Sequence, residues 1–347
     1  MEKKSVLGMI VFAFVVVVLL CTPLGARASV ATAGHASAPA IGSHLVSAPS
    51  HVAPAVPAQM TTYPRTVLVE TFTAQWCIYC EMESQAWYSI QHQLNLNILN
   101  VGELHICYST SNCGDGYITS DGTANTRAGY YGVAAFPTVF VDGSHSVVGA
   151  ATSLSQLESW YLGLVNNASA VPGNVSIVQY ATVTTDSVTS HANLTPSADG
   201  TYHAISYLVE HIGKNDSTGH DIDYVVRGSL VDKTLTLTAG VTTAIGGTKV
   251  IGPTWNVQHM SVITFLQQNS TKIVQNTNLV PVTTLTTAVA VNRSVVTAGT
   301  DSTVTVRVAN SSTGANVVGA AVSLTTSNGG SLNPSSGVTG SDGTFTS

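Results

Sequence analysis

Trp76-Cys77-Ile78-Tyr79-Cys80 is the stretch of this chain best equipped for chemistry. Two thiols separated by two residues can close into a disulfide and reopen, carrying two electrons each time. The stretch follows an apolar strand pattern, Thr66 to Phe72, and precedes a helical one. That order puts the first sulfur at a helix N-terminus, where the dipole and free N–H groups favour thiolate, with the second sulfur one turn further in. Ile78 and Tyr79 bring no positive charge, and Glu81 and Glu83 add negative charge within the next turn, which opposes thiolate formation. The expected Cys77 pKa is therefore nearer ~7 than the ~3.5 of strong oxidants.

Two further cysteines, Cys107 and Cys113, bracket a polar loop, and Cys21 lies in the N-terminal apolar run. In an oxidising compartment Cys107 and Cys113 read as a disulfide that pins this loop, or as a shuttle pair for the first two. A zinc site from all four downstream cysteines is the competing metal reading, but Cys-x5-Cys is longer than ordinary zinc spacing, so no metal is expected. A merely structural Cys77–Cys80 bond is the bland alternative, and so small a ring adds little stability. His105, next to this loop, is read as a satisfied strand residue.

The compartment follows from the N-terminus. Lys3-Lys4, an apolar run from Val6 to Leu20 and Ala26-Arg27-Ala28 form a signal-peptide pattern over 1–28, the alternative being an uncleaved anchor. Charged residues are 9% of the 347, with a formal net charge of −6. No basic surface argues for nucleic acid, and Ser, Thr, Asn and Gly supply the polarity, as in β-rich extracellular modules. The chain is expected to be secreted or at the cell surface, touching a membrane only through the signal peptide or an anchor.

Residues 29–62 are an uncharged Ala, Ser, Pro and His linker. From 63 to 168 strand and helix patterns alternate as β-α-β-α-β-β-α, an α/β unit. Met82, Ala86, Ile90 and Leu94 mark the first helix face. Asp142-Gly143 marks a hairpin, and Ser155 with Glu158 reads as a capping box before a helix carrying Leu157, Trp160, Tyr161 and Leu164 inward. Over 172–281 short alternating segments between turns indicate an antiparallel all-β sandwich. His203, His211, His220 and Asp223 within it lack ligand spacing. Residues 286–347 hold some of the strands of a second sandwich.

The residues of 63–168 resemble the thioredoxin superfamily, on the strand, Trp76-Cys77-Ile78-Tyr79-Cys80, and then Gly132-Val133-Ala134-Ala135-Phe136-Pro137-Thr138 leading into the hairpin. The resemblance implies a thioredoxin-like fold with Pro137 cis beside the cysteines. It also implies Cys77 as the attacking thiol and Cys80 as the resolving thiol. Trp76 would shield the sulfur, and Phe136 backbone groups would pair with an extended substrate strand. In that family an Asp six residues before the first cysteine assists the second. Thr71 stands there in this chain and Glu70 one earlier, which strand parity turns to the other face unless a bulge intervenes. Glu70 is the candidate proton acceptor, against an ordinary strand Glu.

The stretch with His220-Asp221-Ile222-Asp223-Tyr224-Val225-Val226-Arg227-Gly228 resembles, more weakly, the β-sandwich following such a domain in bacterial outer-surface proteins. Residues 286–347 resemble the immunoglobulin-like repeats of invasin and intimin-type proteins, on 297–306, 319–324 and 340–343. These resemblances imply an exported thiol-disulfide oxidoreductase that needs no cofactor, with protein thiols or disulfides as substrate and an unidentified redox partner. The alternative is a structural or adhesive surface protein with an idle disulfide.

Overall fold

The computed structural model describes residues 62–107, 114–119, 121–183, 186–213, 222–293, 301–311, 313–326 and 331–347. The expected signal peptide, all of the linker but residue 62, Cys113 and His220 lie outside the described residues. The molecule is β-rich, with three α-helices among the described residues, all before residue 170. None of these helices is long and apolar enough to cross a membrane.

The first elements are β1 (Val67–Thr73), α1 (Cys80–Gln93), β2 (Leu99–His105), α2 (Thr123–Tyr131), β3 (Thr138–Val141), β4 (His145–Val148) and α3 (Leu154–Ser169). β1 pairs parallel with β2 and antiparallel with β3, so it has a strand on each side. Both of its faces are covered, which is why Val67–Thr73 is buried throughout. Val67 and Val69 point toward α1 and α3, packing with Ala86, Trp87, Ile90, Leu157 and Tyr161. The Trp87 and Tyr161 rings stack at 4.4 Å, a contact worth ~0.5–1.5 kcal/mol beyond its buried area.

The β3–β4 turn needs its sequence. Asp142 and Gly143 have φ of 47° and 71°, the pair of positive values that a two-residue hairpin turn of the matching twist demands. A Cβ on Gly143 would fall 2.1 Å from the Lys272 carbonyl oxygen, so this turn is also pressed against a neighbouring loop. Helix α3 departs from expectation at both its cap and its face. It opens at Leu154, with Ser153 as N-cap accepting from the Gln156 N–H. On this helix Trp160 is 49% exposed, and Val165 turns inward with Leu157 and Tyr161.

The strands that follow are β5 (Val175–Val183), β6 (Ser187–Pro196), β7 (Gly200–Glu210), β8 (Val225–Leu237), β9 (Thr243–Val250), β10 (Met260–Gln268) and β11 (Val274–Thr283). β8 is longer than the short segments expected there, and its pairing with β7 absorbs two register shifts. The strands β5, β6 and β9 and the strands β7, β8 and β10 enclose a core that includes Val175, Leu194, Ala204, Ile245 and Leu266.

These strands do not stand apart from the first unit. The order β4-β3-β1-β2-β8-β7-β10-β11-β5-β6-β9 is one hydrogen-bonded sheet, joined where Glu103 of β2 meets Val225 of β8 in parallel. Leu68, Phe72 and Leu104 share a cluster with Tyr207, Val226, Ile263 and Phe265. Helix α2 adds Ala124 and Ala128 to that cluster.

The C-terminal stretch forms β12 (Leu285–Val291), β13 (Val304–Asn310) and β16 (Thr344–Thr346) as one sheet, with β14 (Ala321–Ser323) and β15 (Ser336–Val338) as a second. Val306, Val322, Leu324 and Phe345 make its core, and Tyr180 of β5 enters that core. The Tyr180 hydroxyl accepts from the Ala321 N–H at 3.2 Å.

Candidate functional site

The chain leaves β1 at Thr73, makes a turn in which the Cys77 N–H donates to the Ala74 carbonyl, and enters α1 as the Cys80 N–H donates to the Cys77 carbonyl. Cys77 and Cys80 are joined as a disulfide with Cα atoms 5.3 Å apart. The helix begins at Cys80, so Cys77 lies in the feeding turn and Cys80 at the first helical position. The helix therefore opens at the second cysteine rather than the first, three residues later than expected.

The two sulfurs are not equivalent. Cys80 is fully enclosed, and Cys77 retains 7% exposure, less than its expected position at the helix mouth implied. Cys77 lies along a cleft of about 410 Å³ walled by Trp76, Ile78, Tyr79, Ala134 and Phe136. Trp76, Ile78 and Tyr79 are 50%, 79% and 63% exposed, so hydrophobic side chains stand open around the one reachable sulfur. Trp76 meets Phe136 edge to face at 5.7 Å. The Phe136–Pro137 bond is cis, and Phe136 packs against the cysteines. Trp76, Cys77, Cys80 and Phe136 are thus brought together; Ile78, Tyr79 and Ala134 also wall the cleft, and the sequence reading had assigned them no contact with substrate.

Glu70 is elsewhere and already occupied. Its carboxylate accepts from Arg127 Nε and one terminal nitrogen at 2.7 and 2.8 Å, from the Tyr131 hydroxyl at 2.7 Å and from the Tyr207 hydroxyl at 2.8 Å. Burial pushes its pKa up, but the Arg127 charge and these bonds outweigh that and hold it below its ordinary value. No bulge interrupts the β1 pairing, so Glu70 shares the face of Leu68 and Phe72, opposite α1. The candidate proton acceptor is corrected to a structural anchor, because an ionised, four-bonded carboxylate on the far face cannot serve Cys80.

On the α1 face a different set of ionisable groups is buried. Glu83, expected to repel a thiolate, is sealed in the protein, and burial pushes its carboxyl up to about 8, leaving it neutral at lower pH. Glu103 is raised as well, first by burial and then by the Glu83 charge. His105 is buried and paired through Nδ1 with Asp115 at 2.9 Å. Asp115 in turn accepts from the Gln75 N–H at 2.8 Å, two residues before Cys77. The signal for Glu83 was the helix stripe itself: 80, 83, 87 and 90 fall on one side of α1.

Cys107 is disulfide-bonded, and Cys113 lies outside the described residues. With Cys77, Cys80 and Cys107 all oxidised, no thiolate among them is available as a zinc ligand in this state. Of the described residues of the sandwich histidine set, His211 pairs with Asp223, whereas His203 lies apart and pairs with Asp232.

No protein-family model matches the chain, and no curated protein does. Among solved structures it is similar to a structural-genomics protein from Agrobacterium tumefaciens, at a TM-score of 0.42 and 14% identity over 63% of this chain and 96% of that one. A domain of the outer membrane lipoprotein Omp28 from Porphyromonas gingivalis aligns at a TM-score of 0.24 and 14% identity, over 32% and 88% of the two chains. A β-glucosidase from Kluyveromyces marxianus aligns at 0.20 and 8%, over 32% and 14%. These scores are low, and the chemistry of the site rests on its own residues.

Proposed function

We propose that this chain is an exported thiol-disulfide oxidoreductase whose residues 63–168 form a thioredoxin-like unit acting on protein cysteines. The observation that carries the reading is the asymmetry of the disulfide. One sulfur lines an open apolar cleft and the other is sealed behind it. A substrate thiolate entering the cleft attacks Cys77, the Cys77–Cys80 bond breaks, and its electron pair leaves on Cys80. A second substrate thiolate then attacks the mixed disulfide, so the substrate is oxidised and the pair reduced. Run in the other direction, Cys77 attacks a substrate disulfide and Cys80 resolves the intermediate.

The signal-peptide pattern and the oxidised cysteines support work outside the cytoplasm. Substrate would be a protein thiol or disulfide presented in an extended segment, with apolar side chains against Trp76, Tyr79 and Phe136.

Scrambled-ribonuclease refolding and insulin reduction test this with wild type, Cys77→Ser and Cys80→Ser. Wild type is expected to be active and Cys77→Ser inactive, while Cys80→Ser accumulates mixed disulfides that run as a heavier band on a non-reducing gel. The near-burial of Cys77 favours one rival, a surface scaffold with an idle disulfide. Equal activity of wild type and Cys77→Ser would establish that rival instead.

A further inference from the structure

The turn between β1 and α1 is gripped from outside the cysteine pair. Gln75, two residues before Cys77, is bound at both its backbone and its side chain by the segment that follows β2. Its N–H donates to Asp115 Oδ2 at 2.8 Å, and its Oε1 accepts from the Gly116 N–H at 2.7 Å. Asp115 is itself fixed. Its Oδ2 also accepts from His105 Nδ1 at 2.9 Å, and its Oδ1 accepts from the Tyr117 N–H at 2.9 Å. The Asp115 side chain is sealed from solvent. Burial raises its carboxyl, but the bond and charge of His105 and the Gln75 and Tyr117 N–H groups outweigh that and hold it below its ordinary value. An ionised carboxylate only accepts, so the bridging hydrogen belongs to His105 Nδ1.

The grip is braced by the sandwich strands. The Tyr117 ring lies against the His105 ring at 5.1 Å, and the Arg227 guanidinium of β8 stands over Tyr117 at 5.2 Å. Arg227 is tied in turn to Glu210 of β7 at 2.7 Å. Residues 115–117 are thus wedged between the end of β2 and β8. Beyond Gln75 the turn is held by the Cys77 N–H on the Ala74 carbonyl and, in the oxidised state, by the disulfide. Opening the disulfide removes the covalent tie, and the grip on Gln75 then limits how far the turn can swing.

Resting on the redox reading, we propose that Asp115 and Gln75 are positioning residues of the exchange, keeping the Cys77 sulfur beside Cys80 while the bond between them is open. The step they serve is resolution. With Cys77 joined to the substrate, the Cys80 sulfur attacks Cys77 and the Cys77–substrate bond breaks with its electron pair on the substrate sulfur. The Cys80 proton ends on that sulfur, so the substrate leaves as a thiol and the Cys77–Cys80 bond is restored. Rate and equilibrium of this step follow the effective concentration of one sulfur at the other, which good orientation raises by orders of magnitude over free thiols. Cys80 is enclosed at the start of its helix, so what can vary is the position of Cys77. The first attack makes no such demand, because the substrate sulfur comes to Cys77 through the cleft.

The test uses the full chain equilibrated with the glutathione couple, and alkylation with mass mapping of the peptide carrying Cys77 and Cys80 reads that pair apart from the Cys107 bond. Asp115→Ala is expected to lower the preference for the Cys77–Cys80 disulfide about 10-fold, a rise of ~30 mV in potential. The share of Cys77 caught as a glutathione mixed disulfide should rise by a similar factor. Asp115→Asn can set its carbonyl oxygen against Gln75 and His105 and is expected to recover most of that loss. Gln75→Ala changes a half-buried side chain and leaves Asp115 in place; it is expected to shift the same equilibrium about 3-fold. Cys80 should stay closed to alkylation in oxidised and mixed-disulfide forms of every variant, since only a loosened fold would open it. Gln75→Ala at the wild-type value overturns the proposal even if Asp115→Ala fails to fold. Asp115→Asn matching Asp115→Ala also overturns it, because the carboxylate would then act by its charge, and so does a shift accompanied by an alkylated Cys80. Failure of the redox reading is separate: wild-type Cys77 would form no mixed disulfide with glutathione, which removes that reading and this proposal together.

Discussion

Replacing Glu83 by Gln should remove most of one pH dependence of folding, and its size follows from the burial of that side chain. The carboxyl moves from an ordinary 4.5 to about 8 in the folded chain. At ~1.4 kcal/mol per pH unit this separation amounts to roughly 5 kcal/mol. Folded protein keeps a proton that unfolded protein has lost throughout that window, so stability falls as pH rises. The contribution is whole below about pH 4.5 and gone above about pH 8. Gln never ionises, so the variant lacks this slope and keeps the parts due to the other shifted groups, Glu103, Asp142 and Asp223 among them. Urea unfolding at half-unit pH intervals, with the disulfide oxidised throughout, gives both curves. The absolute stability of the variant is immaterial because an amide has its own unmet hydrogen bonds there; the difference in slope is the readout. Parallel curves between about pH 4.5 and about pH 8 would refute the assignment of a neutral, buried Glu83.

Arg127→Met strands the Glu70 carboxylate in the core and should cost ~3–5 kcal/mol, whereas Glu70→Gln combined with Arg127→Met should recover most of that in a double-mutant cycle by urea unfolding. The Glu70 pKa is held below its ordinary value, so its stabilisation is present above the unfolded pKa and is lost as pH falls through the folded one, the opposite direction from Glu83. Gly143→Ala adds a Cβ at a φ of +71°, 2.1 Å from the Lys272 carbonyl, and should lower stability by more than ~1 kcal/mol, read as a fall in Tm by calorimetry.

Local chemistry was legible where it depended on neighbours in sequence. The strand-to-helix passage around Cys77, the face of α1 and the Asp142-Gly143 hairpin all follow from periods and turn residues a few positions apart. The α3 cap was misplaced by two residues because Ser153 and Ser155 both fit the motif and only the fold selects between them. What stayed hidden was set over long separations. Arg127 lies 57 residues from Glu70, and Tyr207 lies 137 away. No period links such positions, so a strand Glu that anchors two elements looks like one that could accept a proton. Glu83 misled for a related reason: an acid in the first turn of a helix reads as a charge close to Cys77, and the stripe of 80, 83, 87 and 90 marks it as buried only once α3 and β2 are seen to cover that side.

That packing also bears on what the sandwich strands do for the site. Phe72 and Leu104 lie on the face of β1 and β2 covered by Tyr207, Val226 and Phe265. Each such side chain contributes ~1.5–3 kcal/mol by being buried, and without the later strands that face would stand open to water. The contribution extends toward α1 as well, because the Asp223 N–H closes on Glu103 just before β8. Glu103 also feels the Glu83 charge, so the position of Asp223 bears on the buried acids between α1 and β2. A spacer that merely carried the cysteines away from a surface would have no reason to enter their core. The strands from β7 to β11 are therefore part of the framework that holds the disulfide, and the C-terminal sheets, attached through Tyr180, are a further layer beyond it.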